Sequence, residues 1–294
     1  MSDGFPKQIN ENLFILGNAY FHLYLIRGKE VCALVETGIS ATAEIAKRQL
    51  SAMKLLPEFL IITHPHSDHI TGLDSLRTSY PKAKVIAGAG AEAFINHPKS
   101  LQGMIAEDIH MTRSLVARGF SNDVEASMKS VPNLTGCIHL KDGEEMDVGG
   151  VKIRFLEAKG HSPANILVYL PETRTLLVSD SLGNLYPKRG FFPTFFTGYN
   201  DYLQTIDRLE KFNPEVLGLA HGGWFASTRE IESIFQQAEA SATDVKNYIM
   251  NDLREDEAVA RDLFDFYYAD ELSIYSPQNI MNCCRLLVKR VREL

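Results

Sequence analysis

One short segment of the sequence concentrates side chains that bind metal ions. It reads Ile61-Ile62-Thr63-His64-Pro65-His66-Ser67-Asp68-His69, so four potential ligands fall within six residues directly after an apolar run. A tight turn after a buried strand can direct alternate side chains into one cavity, so residues separated by two could serve one ion. The adjacent Asp68 and His69 could then serve a second ion. Imidazole and carboxylate groups suit zinc, iron and manganese.

Three further residues of the same types follow apolar runs later in the chain. His161 lies in Lys159-Gly160-His161-Ser162-Pro163, Asp180 follows the run Leu176 to Ser179, and His221 precedes two glycines. Functional groups are commonly presented at strand ends. A lone histidine is more often a structural residue than a ligand, and we expect that of four others that fit no motif: His22, His97, His110 and His139.

The order of these motifs resembles that of the metallo-β-lactamase superfamily. An H-x-H-x-D-H motif, a Gly-His-Ser segment, a strand-ending aspartate and a late histidine occur in that order between about Leu13 and Trp224. The resemblance implies an αββα sandwich with metal ions at one edge. It implies that one ion is bound by His64, His66 and His161, the second by Asp68, His69 and His221, and that Asp180 bridges them.

These ligands predict a binuclear metal-dependent hydrolase of a small acyl compound, which could be a thioester, a lactone or an ester, and phosphodiesters also stay open as substrates. We expect two divalent ions, zinc first, with iron or manganese as alternatives. Ions about 3.5–4 Å apart can acidify a shared water, whose hydroxide would attack a carbonyl carbon. We expect Asp68 and Asp180 to act in catalysis, Asp68 by orienting the water or moving its proton. Tyr186 could donate a hydrogen bond to the oxyanion.

A closer resemblance is to the Pseudomonas quinolone-signal thioesterases of the superfamily. It rests on Ala33 to Ser40, which includes Glu36 where most relatives have Asp, on Gly160-His161-Ser162 and on Asp180-Ser181-Leu182-Gly183. Those thioesterases have an acidic residue at the position of Asn184, which puts the substrate in doubt. Lactonases of the superfamily have a tyrosine where this chain has Gly183, and its di-iron oxygen and nitric-oxide reductases have Glu in place of His66.

Signalling is the alternative function, since those thioesterases also act as effectors. In that case the fold would act by partner binding with little catalysis, and the C-terminal helices could bind a protein partner or a second copy of the chain.

Two groups of aromatic residues have two interpretations each, because they could shape a substrate cleft or only pack helices. They are Tyr186, Phe191, Phe192, Phe195, Phe196 and Tyr199 in the first group and Phe264, Phe266, Tyr267, Tyr268 and Tyr275 in the second.

Hydrophobic periodicity places these residues in a mixed α/β chain. A helix is predicted from Ser40, as N-cap, to Leu56, and a helical insert over residues 91–128. From Thr228 the pattern is helical to the end, with a break near Tyr275-Ser276-Pro277. We therefore predict a metallo-β-lactamase-fold domain over residues 1–226 and a helical C-terminal extension over residues 227–294 that caps it.

The composition of the chain restricts the kinds of partner that we expect it to bind. The 294 residues carry a formal net charge of −7 and include four cysteines without a C-x-x-C pair. An acidic chain does not favour nucleic-acid binding, so we expect a small-molecule substrate and no nucleic acid. No apolar run is long enough to span a membrane, and the N-terminal residues show no secretion signal, so we expect a cytoplasmic protein with reduced thiols and no membrane partner.

Overall fold

The computed structural model describes residues 4–123, 125–128, 130–186 and 188–294; Val124, within the predicted insert, lies outside them. The chain forms two compact units. The first runs to Glu157 and includes Pro163–Glu172, and the second comprises Ala158–Ser162 and Thr173–Leu294. The division at residue 226 stays a prediction.

The first unit is built on a seven-stranded sheet whose strands lie in sequence order. Neighbouring strands are antiparallel from β1 to β4 and parallel from β4 to β7. The strands are β1 (Lys7–Gln8), β2 (Leu13–Gly17), β3 (His22–Arg27), β4 (Cys32–Val35), β5 (Phe59–Ile62), β6 (Lys84–Ala87) and β7 (Ile138–His139). The unit also contains β8 (Glu145–Val148), which pairs with β9 (Val151–Ala158), and β10 (Asn165–Leu170).

Five helices follow the parallel strands of this sheet. They are α1 (Ser40–Met53), α2 (Ser67–Ile70), α3 (Leu73–Ser79), α4 (Ala91–Ile95) and α5 (Pro98–Ala117). Apolar side chains of α1 and α3, such as Leu50 and Leu73, share one buried core with Leu34 and Leu60 of β4 and β5. Since β5 is anchored in this core, the chain leaves it at a fixed point, and the motif that starts at His64 follows directly.

The second unit places its ligands at the ends of a shorter set of strands. β11 (Thr175–Ser179) is parallel to β14 (Val216–Leu219), and β14 is antiparallel to β15 (Trp224–Phe225). Between them lie the hairpin β12 (Asn184–Tyr186) and β13 (Gly190–Phe192) and the helix α6 (Tyr199–Glu210). The register of β11 shifts before Ser179, whose φ is +49°, so the backbone changes direction just before Asp180.

The C-terminal extension is helical, as the sequence predicted. It consists of α7 (Thr228–Asn251), α8 (Asp256–Tyr267), a 3-10 helix (Asp270–Ile274) and α9 (Pro277–Arg292). Ser227 and Ser276 cap α7 and α9 by accepting hydrogen bonds from backbone N–H groups. In the part of the chain that the structure describes, no helix is long and apolar enough to cross a membrane.

All four cysteines are free thiols. Burial raises the pKa of Cys32 to about 11 and that of Cys284 to about 12. Both thiols are therefore protonated and unreactive at neutral pH.

A buried carboxylate in the helical insert anchors α1 and α2. Asp108 of α5 has no exposed surface and accepts hydrogen bonds from the Ser40 backbone N–H (2.9 Å), the Ser40 hydroxyl (2.8 Å), the Thr71 hydroxyl (2.6 Å) and the Met128 N–H (2.7 Å). The prediction that Ser40 is the N-cap was wrong by one residue, because the N-cap is Ile39 and Ser40 begins the helix. A distant carboxylate, rather than a local side chain, satisfies the first N–H of α1 and complements its helix dipole.

We expect the substitution Asp108→Asn to lower the free energy of unfolding by about 2–4 kcal/mol, because an amide presents N–H groups to buried donors. Urea unfolding followed by circular dichroism measures the change. The control is Asp207→Asn, at an exposed carboxylate that pairs with Lys211 on the helix surface, with an expected change below about 0.5 kcal/mol. Equal midpoints for the two variants would contradict the anchoring role of Asp108.

Candidate metal centre

The first unit presents its four predicted ligands on the turn after β5 and on α2. His64 Nε2 and His66 Nδ1 face each other at 3.0 Å, and His69 Nε2 lies 3.4 Å from Asp68 Oδ2. His64 and His69 are almost fully buried. Because α2 begins at Ser67, Asp68 and His69 are adjacent on a single helical turn, and the hydroxyl of Thr37 donates to the His69 carbonyl (2.8 Å) to hold that turn.

A hydrogen-bonded relay through Glu36 orients two of these histidines. The Thr63 hydroxyl donates to Glu36 Oε1 (2.6 Å) and lies 3.0 Å from His64 Nδ1, while His69 Nδ1 lies 3.2 Å from the same carboxylate oxygen. Since the Thr63 hydroxyl donates to Glu36, its oxygen is left to accept from Nδ1 of His64, and the carboxylate beside Nδ1 of His69 favours a proton on that nitrogen. Each Nε2 then keeps its lone pair on the side of the ligand cluster, which is the tautomer that metal binding requires.

Glu36 has a backbone conformation that few residues of its type adopt. It follows β4 with a φ of +72° and is 3% exposed. Such a conformation costs about 1–3 kcal/mol and is concentrated at functional sites. Burial raises the pKa of the neighbouring Tyr24, and the negative charge of the Glu36 carboxylate raises that pKa further.

The second unit gathers the other three predicted ligands around one carboxylate. His161 Nε2 lies 3.8 Å from Asp180 Oδ2, and His221 Nε2 lies 3.5 Å from Asp180 Oδ1. All three side chains are buried. Asp180 thus offers one oxygen to the region of each imidazole, which is the geometry of a carboxylate able to bridge two ions.

Thr194 orients two of these ligands. Its carbonyl accepts from His161 Nδ1 (3.0 Å), and its hydroxyl donates to the Asp180 carbonyl (2.9 Å). The position before His161 admits only glycine, because Gly160 has a φ of +94° and a Cβ there would lie 2.3 Å from the Tyr202 backbone N. His161 Nε2 is therefore directed toward Asp180 by constraints on both its ring and its backbone.

The chemistry of these donors fits a divalent metal ion. Glu36, His64 and His69 have ligand atoms within 4.8 Å of one another, but Glu36 contacts Nδ1 of His69 while Nε2 faces Asp68. We therefore assign Glu36 as the residue that orients the histidines rather than as a ligand. Neutral imidazoles and carboxylates held in this way suit zinc, iron or manganese.

Aromatic residues of the second unit mainly pack its helices. Phe195 contacts Tyr199 and Tyr202, and Phe192 contacts Tyr267 of α8. Phe196 is only partly buried, and its ring centroid lies 5.5 Å from that of His161. Tyr186 is buried on β12, and its role as a hydrogen-bond donor to substrate stays a prediction.

Sequence reasoning did not identify three residues near the ligands by role. Glu36 was noted only for its resemblance to relatives, and Tyr275 only as one ring among several. Thr194 was not noted, because its carbonyl, a group that every residue has, makes the decisive contact. The Tyr275 hydroxyl lies 3.3 Å from His221 Nε2.

Comparisons with known proteins agree with this geometry. Residues 22–221 match the metallo-beta-lactamase superfamily. Metallo-beta-lactamase fold-containing protein ST1585 of Sulfurisphaera tokodaii is 25% identical over 205 residues, 68% of this chain and 72% of that protein. Hydroxyacylglutathione hydrolase of Francisella tularensis subsp. holarctica is 25% identical over 142 residues, 48% of this chain and 40% of that protein.

Among solved structures, the metallo-beta-lactamase family protein TTHA1429 of Thermus thermophilus has a TM-score of 0.66 at 21% identity, covering 91% of this chain and 93% of that chain. The predicted αββα fold with its helical insert and C-terminal helices is thereby confirmed. The matched region spans most of the chain and includes every predicted ligand from His64 to His221. The chain belongs to the metallo-β-lactamase superfamily.

Proposed function

We propose that the protein is a binuclear metal-dependent hydrolase of a small acyl compound, with thioesters as the leading class. The observation that carries the proposal is the shared orientation of the donors: His69 and His161 each place Nδ1 beside a fixed oxygen atom and Nε2 toward an aspartate of their own unit. Such tethering is typical of metal-binding histidines. A catalytic site of this kind has three protein ligands to an ion and an open position.

The ligand set of the proposed centre follows from the resemblance to the superfamily. By that resemblance His64, His66 and His161 would hold one ion, Asp68, His69 and His221 would hold the second, and Asp180 would bridge the two. Bound ions would supply Lewis acidity and acidify a water molecule toward neutral pH. Asp68 would orient that water and take its proton.

The substrate class is inferred from relatives and from one position in the second unit. A relative is named as a hydrolase of hydroxyacylglutathione, an acyl derivative of a thiol. The resemblance to the quinolone-signal thioesterases points the same way. The tyrosine of the lactonases has no room here, because Gly183 has a φ of +90° and a Cβ would lie 2.6 Å from the Phe192 carbonyl oxygen. Thioesters are therefore favoured over lactones.

The first test of this function is metal removal. We expect purified protein to contain two divalent ions per chain by elemental analysis and to hydrolyse at least one member of a panel of thioesters, esters, lactones and phosphodiesters. Chelation should abolish turnover and metal should restore it, because the nucleophile forms only at the ions. Undiminished hydrolysis by a metal-free sample would refute the proposal.

The second test removes single ligands. We expect Asp180→Asn and His221→Ala to reduce bound metal and to lower kcat by about 100-fold or more, since each opens the coordination sphere. Elemental analysis and rate measurements on the same samples check both effects. His97→Ala is the control, because His97 is exposed and fits no motif. Full metal content and turnover in Asp180→Asn would exclude a bridging role for Asp180.

The third test concerns the relay through Glu36. The substitution Glu36→Gln should weaken zinc affinity by about 10- to 100-fold, because a neutral amide oxygen is a weaker acceptor than a carboxylate and makes the neighbouring imidazole a less basic ligand. Competition with a chromophoric chelator measures the affinity. Glu58→Gln, at a half-exposed side chain 4.0 Å from Lys84, serves as the matched control. If both variants bind zinc like the wild type, the relay does not tune the centre.

A further inference from the structure

The C-terminal extension brings a tyrosine hydroxyl to one of the proposed ligands. Tyr275 lies between the 3-10 helix and α9, and its hydroxyl oxygen is 3.3 Å from His221 Nε2. The two rings meet edge to face with centroids 6.2 Å apart, and both side chains are buried. The contact joins residues 54 positions apart in sequence, and no motif around Tyr275 predicts it.

The side of the imidazole that Tyr275 contacts determines what it can do. An orienting partner binds the nitrogen that faces away from the ion, as the Thr194 carbonyl does at His161 Nδ1. Tyr275 instead contacts Nε2, the nitrogen of His221 that lies 3.5 Å from Asp180 Oδ1. Its hydroxyl therefore lies on the side where ligands gather, and it does not orient the ring from behind.

This position has a consequence once Nε2 is used for coordination. A nitrogen that gives its lone pair to an ion cannot also accept a hydrogen bond. The phenol hydroxyl then cannot donate to Nε2 of His221. We propose, on the basis of the function proposed above, that Tyr275 is a substrate-contacting catalytic residue whose hydroxyl donates a hydrogen bond to the oxygen that becomes negative during acyl transfer.

The backbone around Tyr275 is held in place, as such a donor requires. The Tyr275 carbonyl accepts a hydrogen bond from the Tyr268 hydroxyl (3.1 Å), and its N–H donates to the Leu272 carbonyl (3.2 Å). The next residue, Ser276, caps α9 through the N–H of Asn279 (3.1 Å). A donor fixed before substrate arrives needs no reorganisation during the reaction, which is the source of oxyanion stabilisation. Tyr275 keeps its proton throughout, so no covalent step is assigned to it.

The test uses the full-length zinc-loaded protein with the substitution Tyr275→Phe, which removes the hydroxyl and keeps the ring. The first probe is phenylphosphonate, whose tetrahedral anionic oxygens imitate the developing oxyanion, with its dissociation constant measured by calorimetry. The second is hydrolysis of phenyl thioacetate, and zinc content is measured on the same samples. The control is Tyr248→Phe, which removes a partly exposed hydroxyl of the same extension that donates to Asp262.

We expect Tyr275→Phe to bind phenylphosphonate at least about tenfold more weakly than wild type. We also expect kcat to fall by about 100-fold with little change in KM, and zinc content to stay at the wild-type level. Tyr248→Phe should match the wild type in all three measurements.

Unchanged phosphonate affinity in Tyr275→Phe would overturn the inference, and so would loss of zinc, which would make Tyr275 part of the metal cage. Failure of the zinc-loaded wild type to bind phenylphosphonate also counts against it. If the wild type does not hydrolyse the thioester but phosphonate binding still depends on the hydroxyl, the proposed reaction is wrong and the inference about Tyr275 stands.

Discussion

The proposed centre depends most on one buried carboxylate that is not among its predicted ligands. Glu36 accepts from Thr63, whose hydroxyl lies 3.0 Å from His64 Nδ1, and the same carboxylate oxygen lies 3.2 Å from His69 Nδ1. One interior carboxylate therefore influences the orientation of two imidazoles, and in the interior a lost partner costs more than it would in water. The positive φ of Glu36 is unfavourable for its backbone, so the contacts of its side chain must offset that cost.

Much of the fold is predictable because apolar periodicity reports burial directly. The apolar runs before His64 and Asp180 form β5 and β11, and the predicted break near Tyr275-Ser276-Pro277 separates the 3-10 helix from α9. The short helix α2 was not predicted, since four residues are too few for a helical period. The N-cap of α1 was misplaced because its partner, Asp108, lies 68 residues away in sequence. Pattern reading detects local signals and misses such distant partners.

The same limit applies to the candidate site, where local patterns are visible in the sequence and distant partners are not. Ligand types and order are visible in the sequence, since His64 to His69 form a dense cluster and the later ligands follow apolar runs. The groups that orient them are not visible, because they act through backbone atoms or across long separations. Thr194 contributes a carbonyl to His161, and Tyr275 reaches His221 from the far end of the chain. No local sequence pattern indicates either contact.

The hydrogen bonds that Asp108 accepts bear on how members of this superfamily can be engineered. Inserted helices are commonly treated as exchangeable parts that change what a scaffold accepts while leaving its chemistry intact. Here the carboxylate of α5 binds Ser40 and Thr71, and Thr71 ends the turn that carries Asp68 and His69. A transplanted insert without an acceptor at this point would leave three buried donors without a partner beneath the turn that carries Asp68 and His69. Grafting between relatives must therefore move the insert together with its two hydroxyl partners.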